Sequence, residues 1–276
     1  MQISGIYIKN RHITSFLKVT GDSNDIHFKK YAAKNKGFSD VVAPGMFTGP
    51  SVLYNVLADP ELPDISLFRN FKFKWMHPVY RKDTLHTDVS QKQDCIDLKI
   101  TNQNGIEVMN ISCREKPKEV YVPQNAGKEY VKEITLKDIY NFLRITGPPQ
   151  QKSIQNIIFS MLPSGVLARA GYFKQETMPD LLISALVPPS LLIWSGGNGL
   201  HMMQEINIHN PALPNQKIRA ETYFEKGKKT EKGMVYAGSY VCKSDETVLQ
   251  SGRVMCFTEN ELGIENFINK TKSSDC

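Results

Sequence analysis

No apolar run in these 276 residues is long enough to cross a bilayer as a helix. The most apolar stretch, Leu181 to Trp194, falls short of the roughly 20 residues a span requires and contains Pro188 and Pro189. It reads as buried core. Met1 to His12 lacks the apolar centre of a secretory signal. Cysteine is sparse. Cys95, Cys113, Cys242, Cys256 and Cys276 are odd in number and widely spread, which argues against a disulfide framework and suits reduced thiols. The six histidines are equally scattered, so neither a metal nor another cofactor is expected. These absences predict a soluble, cytoplasmic protein with no membrane partner. The net charge of +6 fits a solvated surface, or attraction to an acidic ligand such as a phosphate-bearing group or an acidic carrier protein. No basic stripe interleaved with aromatics occurs, so nucleic acid is not expected.

What the chain does contain is one plan written twice. Phe71 to Trp75 alternates with period two and leads into Pro78 and the polar turn before Leu85. Ile206 to His209 leads in the same way into Pro211, Pro214 and Ile218. Each is a strand, a proline-marked break, a turn and a second strand. Upstream, Phe16-Leu17-Lys18-Val19-Thr20-Gly21 is echoed by Phe142-Leu143-Arg144-Ile145-Thr146-Gly147. Each half also holds one apolar segment of helical length, Gly45 to Leu57 and Pro189 to about Trp194. Each ends in paired alternating strands: Asp94 to Ile100 with Ile106 to Cys113, and Met234 to Lys243 with Val248 to Phe257. The pattern predicts an α+β fold of two fused units, each an antiparallel sheet wrapped around a central helix, with edge strands buried against each other. The expected boundaries are a unit over 1–118, a linker over 119–132, a second unit over 133–262 and a tail over 263–276.

The segment richest in chemistry is Val19-Thr20-Gly21-Asp22-Ser23-Asn24-Asp25-Ile26-His27, followed by Gly37-Phe38 and then Ala43-Pro44-Gly45-Met46. Here the sequence resembles the MaoC-like dehydratases and R-specific enoyl-CoA hydratases of the hot-dog superfamily. Their signature runs Ser/Thr-Gly-Asp-x-Asn-Pro-x-His, then Gly-Phe, then His-Gly-Met at a helix start. The resemblance covers the first half, including Pro78 to Leu85, and implies a double hot-dog architecture. It implies Asp22 and His27 as the acid–base pair, with the amides of Gly45 and Met46 as oxyanion donors. Adding water across an enoyl thioester needs a water poised at C3, a proton for C2, and donors for the enolate oxygen. A carboxylate, an imidazole and a helix N-terminus provide these.

Taken singly, these residues have plainer readings. Asp22 alone would be a turn former, His27 alone a structural histidine, and Gly45 a packing residue. Asn24 is expected to organise the loop and contribute to substrate binding with Lys29 and Lys30. These two, with Lys34 and Lys36, form either a solvated helix face or a phosphate-facing patch. Asp25 replaces the family's proline and puts a second carboxylate near His27, which would favour the imidazolium. Pro44 replaces the family's histidine and removes a backbone donor. In the second half Gly147-Pro148-Pro149 stands where the acid–base loop would be, so that unit is expected to be non-catalytic and to complete the acyl tunnel. The expected activity is hydration of trans-2-enoyl thioesters on coenzyme A or an acyl carrier protein, or the reverse dehydration. Thioester hydrolysis, a non-catalytic acyl-thioester binder and a lyase for branched or dicarboxylic acyl groups stay open, as does assembly into a homodimer.

Overall fold

The computed structural model describes residues 2–56, 59, 61–63, 67–92, 94–118, 127–146, 180–195, 197 and 199–259. Ten strands are present among the described residues: β1 (Gln2–Tyr7), β2 (Asn70–Trp75), β3 (Thr84–Lys92), β4 (Cys95–Asn102), β5 (Glu107–Arg114), β6 (Lys128–Glu133), β7 (Leu200–Ile208), β8 (Lys217–Thr230), β9 (Gly233–Ser244) and β10 (Thr247–Thr258). They form one antiparallel sheet in the order β1-β3-β4-β5-β2-β7-β10-β9-β8-β6. Read inward from either edge, each half runs first, third, fourth, fifth, second strand of its own five. The repeat seen in the sequence is therefore a repeat of topology, and the two halves meet where β2 pairs with β7, from Asn70 opposite Asn207 to Lys74 opposite Met203. This is an α+β double hot-dog.

The helices are α1 (Asn10–Thr20), α2 (Lys30–Asn35), α3 (Gly45–Val56), α4 (Leu136–Thr146), α5 (Asp180–Ser184) and α6 (Val187–Ser195). In α1 the buried residues Ile13, Phe16, Val19 and Thr20 share one face. In α4 Ile139, Phe142, Ile145 and Thr146 do the same. That spacing is the helical period, and the two faces meet, with the Phe16 and Phe142 rings 6.3 Å apart. Thr20 and Thr146 each donate a hydroxyl to the carbonyl four residues back, Phe16 and Phe142. α3 is buried nearly all round, from Met46 through Leu53, as a helix held by a curved sheet must be. Pro50 lies inside it and leaves the Met46 carbonyl without its helical donor. In α6 the two prolines fall in the first turn, where a missing N–H costs nothing.

One boundary differs from the sequence reading. Part of the expected 119–132 linker is β6, the outer strand of the second unit, paired with β8 from Lys128 opposite Thr222 to Glu133 opposite Lys217. Its charges, Lys128, Glu129, Lys132 and Glu133, are those of an edge strand that resists pairing with a further chain. That polarity is why it reads as a loop. Residues 119–126, the Gly147-Pro148-Pro149 segment and the 263–276 tail lie outside the described residues. No helix among the described residues is long and apolar enough to cross a membrane.

Candidate active site

Gly21 ends α1 in the left-handed conformation, at φ 77°. A side chain there would also strike the Tyr130 hydroxyl, which donates to the Thr20 carbonyl at 2.9 Å. Glycine is thus required twice over, and the chain turns sharply into the loop that carries Asp22. The Asp22 carboxylate accepts from the Asn24 amide at 3.1 Å, and Asn24 in turn caps the short 3-10 turn Asp25–His27 by accepting from the Ile26 amide at 3.4 Å. The loop is held by its own side chains. Asn24 also reaches across to the second unit, donating to the Gly199 carbonyl at 3.1 Å.

His27 Nδ1 lies 2.7 Å from the Val42 carbonyl, which makes Nδ1 the donor and leaves Nε2 free to accept. Nε2 is 3.7 Å from Asp22 Oδ2. Both residues are buried, with 7% and 9% of the surface of Asp22 and His27 accessible, and both line one cavity. Segment 41–43 fixes the other wall. The Val42 amide donates to Ile26 and the Ala43 amide to Val79, which ties the loop, the approach to α3 and the strand break at Pro78 together. Asp83 completes that break by accepting from the Tyr80 amide and from Gln103.

The cavity opens onto the start of α3. Pro44, Gly45, Met46 and Thr48 line it, and the first-turn amides of Gly45 and Met46 have no acceptor inside their own helix. Gly45 is pressed against the Trp75 indole: an added Cβ would lie 2.6 Å from one ring carbon and 2.9 Å from Nε1. The far wall comes from the second unit through Pro188, Leu191, Leu192, Leu200, His201 and Cys256.

The sequence-derived candidates Asp22, Asn24, His27, Gly45 and Met46 are brought together around this cavity. Lys29 and Lys30 do not line it. Lys29 is paired with Asp25 at 2.9 Å, and Lys30 lies 3.9 Å from Asp40. The Asp25 carboxylate is hydrogen-bonded to Lys29, one helical turn away, and raises the Lys29 pKa. Two cavity residues carried no signal in the sequence, Trp75 at the end of β2 and His201 near the start of β7. Their rings lie 4.7 Å apart. Among the described residues neither ring nitrogen of His201, nor Trp75 Nε1, makes a close hydrogen bond, and burial, offset in part by the Met203 backbone, pushes the His201 pKa down to about 3. Among the described residues no group of three His, Cys, Asp or Glu side chains could hold a metal.

Residues 2–111 match the family model of the MaoC like domain. Over that span the chain is similar to the MaoC like domain. No curated protein matches it in sequence. Among solved structures it is similar to a MaoC-like dehydratase, at TM-score 0.69 and 14% identity over 94% of this chain and 97% of that one. A Mycobacterium tuberculosis protein described as a double hot-dog fold aligns at TM-score 0.67 and 8% identity, over 93% and 95% of the two chains. The Drosophila melanogaster peroxisomal multifunctional enzyme type 2 aligns at TM-score 0.58 and 14% identity, over 94% of this chain and 48% of its own. At these identities the structures speak to the fold, while the domain match falls on the unit that carries Asp22 and His27.

Proposed function

We propose that this protein adds water to trans-2-enoyl thioesters to give R-3-hydroxyacyl thioesters, or runs the reverse dehydration. The observation that carries this reading is the buried Asp22–His27 pair, whose Oδ2 and Nε2 atoms face one cavity 3.7 Å apart. With Nδ1 donating to Val42, Nε2 is an acceptor, and an ionised Asp22 is another. A single water can donate one hydrogen to each. Held so, it turns a lone pair outward toward C3 of the substrate. The hydroxide equivalent adds at C3, its proton passes to the Asp22–His27 pair, and the pair returns it to C2. Charge that builds on the thioester oxygen meets the amides of Gly45 and Met46 at the positive end of α3. Pro44 supplies no amide, so the donor set is confined to those two on the helix itself.

The apolar walls from both units suit an acyl chain, and the dehydratase names of the domain model and the neighbouring structures agree with a hydro-lyase. The carrier is coenzyme A or an acyl carrier protein, either of which keeps its phosphate outside the apolar cavity. Thioester hydrolysis lacks support, because α3 holds neither Asp nor Glu. Mixing the protein with crotonyl-CoA tests the proposal. Loss of enoyl absorbance without release of free thiol is expected. Thiol release would mean hydrolysis, and a silent reaction would mean a binder.

A further inference from the structure

Resting on that reading, we propose that His201, supplied by the second unit, acts with Trp75 as a hydrogen-bonding subsite for the thioester oxygen at the start of α3. Among the described residues, three polar atoms in two touching rings are sealed from solvent and make no close hydrogen bond: Trp75 Nε1 and both nitrogens of His201, whose ring the Met203 backbone approaches closely enough only to offset part of the effect of burial. Leaving such atoms unpaired costs about 1–3 kcal/mol each. Buried polar groups are ordinarily satisfied, so a cluster of orphans beside a cavity marks a place built to receive something polar. These orphans lie at the helix start. The Trp75 indole is packed on Gly45, so its Nε1 reaches the neighbourhood of the Gly45 amide, and His201 lines the same cavity.

The charge state of His201 suits this role. Burial holds the ring neutral at physiological pH, so it always carries one N–H and one bare nitrogen. A neutral imidazole donates to a carbonyl oxygen without handing over a proton that would quench the enolate. It also places no second cation near the Asp22–His27 pair. The subsite would compensate for Pro44, which offers no amide to the oxygen. It would also give the second unit, which was expected only to wall the tunnel, a direct contact with the reacting group.

Two readouts on the same samples test this: affinity for butyryl-CoA, which binds but has no double bond, and turnover of crotonyl-CoA. His201→Phe keeps the ring and removes both nitrogens. It should lower kcat about a hundredfold, as loss of one oxyanion donor does, at every pH, leaving the shape of the pH profile unchanged. Butyryl-CoA affinity should fall only a few-fold, because such donors serve the transition state more than the ground state. His201→Gln restores a donor and should recover part of the rate, and it also serves if His201→Phe fails to fold. Unchanged kcat and unchanged affinity in both variants would overturn the subsite while leaving Asp22 and His27 untouched. If the wild type binds butyryl-CoA but turns nothing over, the hydratase reading fails, and the subsite then stands or falls on whether His201→Phe weakens binding. A wild type that neither binds nor turns over would overturn both.

Discussion

At the scale of single residues, part of the lining of the candidate site was legible in the sequence. Asp22 and His27 could be read because both stand on one loop, five positions apart, and the fold has only to close a short turn between them. Gly45 could be read because a helix start is a local event. Trp75 and His201 could not, because each is a lone ring on a strand, brought to the cavity by the pairing of β2 with β7. Asp22→Asn and His27→Ala should each lower the hydration rate by about 10²–10⁴, the usual contribution of a positioned acid or base. Far-ultraviolet circular dichroism should change little. Near-normal turnover in either variant would remove that residue from the mechanism. His201 also sets a pH dependence. Below its ordinary value of 6.5 the unfolded chain binds a proton at His201 that the fold refuses until about pH 3. Stability is therefore lost as pH falls through that window, by up to about 1.4 kcal/mol per pH unit. Asp180 works in the opposite sense. Burial raises its carboxyl to about 6, so the fold holds a proton that the unfolded chain gives up above about 3.8, and acidification stabilises it there. The two slopes oppose each other in the wild type. Removing His201 takes away its slope and leaves those of the other shifted groups, among them Asp180 and His209, whose pKa burial also lowers, so the melting temperature of His201→Phe relative to wild type should rise steadily from pH 7 to pH 5. A difference independent of pH would mean that the imidazole titrates normally in the folded protein.

Among elements, those with a strong period were legible and those without one were not. The alternating strands β4, β5, β9 and β10 and the apolar helices α3 and α6 lie within a few residues of where the pattern placed them. β6 escaped because an edge strand facing solvent carries charges where a central strand carries valines and isoleucines. α2 poses a different question, since its pattern was read correctly as basic but its role was not settled. Lys30 is about half exposed and only loosely tied to Asp40, while Lys29 is engaged with Asp25. If this face meets the phosphates of the carrier, the double variant Lys29→Ala, Lys30→Ala should raise KM for crotonyl-CoA with kcat unchanged. The increase should shrink as salt rises, since exposed charges are screened beyond about 10 Å at 0.1 M. A KM equal to wild type at low salt would leave α2 as a solvated surface.

For the whole molecule, the repeat carried most of the fold. Phe16 and Phe142, equivalent by sequence, are also in contact across the two units, and the strand order is the same from either edge. The repeat alone could not show how tightly the halves are joined. Asn70 on β2 donates to Asn207 on β7 at 2.8 Å, the Lys118 amide donates to the same Asn207 oxygen at 2.9 Å, and the Lys118 ammonium is paired with the buried Glu205. The seam is therefore polar along one side and continuous in its backbone pairing, while α1 and α4 join the two units through apolar side chains such as Phe16 and Phe142. Cutting the chain after Pro117 would strip β2 of β7, leaving it paired on one side only, with unpaired N–H and C=O groups along Asn70–Lys74, and would uncover apolar residues of α1 and α3 that α4 packs against. An open edge next to exposed apolar surface is an aggregation site. The isolated first unit should come out insoluble, or as a homodimer in which a second β2 takes the place of β7. Such a dimer would keep Asp22, His27 and Gly45 but would have no counterpart of His201, because Leu67, Phe68 and Arg69, just ahead of β2, would take the place of the start of β7 and none is a histidine. It should therefore bind butyryl-CoA more readily than it turns over crotonyl-CoA. Size-exclusion chromatography with both measurements on the fractions decides it, and a soluble, fully active monomer of residues 1–117 would show that the second unit completes neither the sheet nor the site.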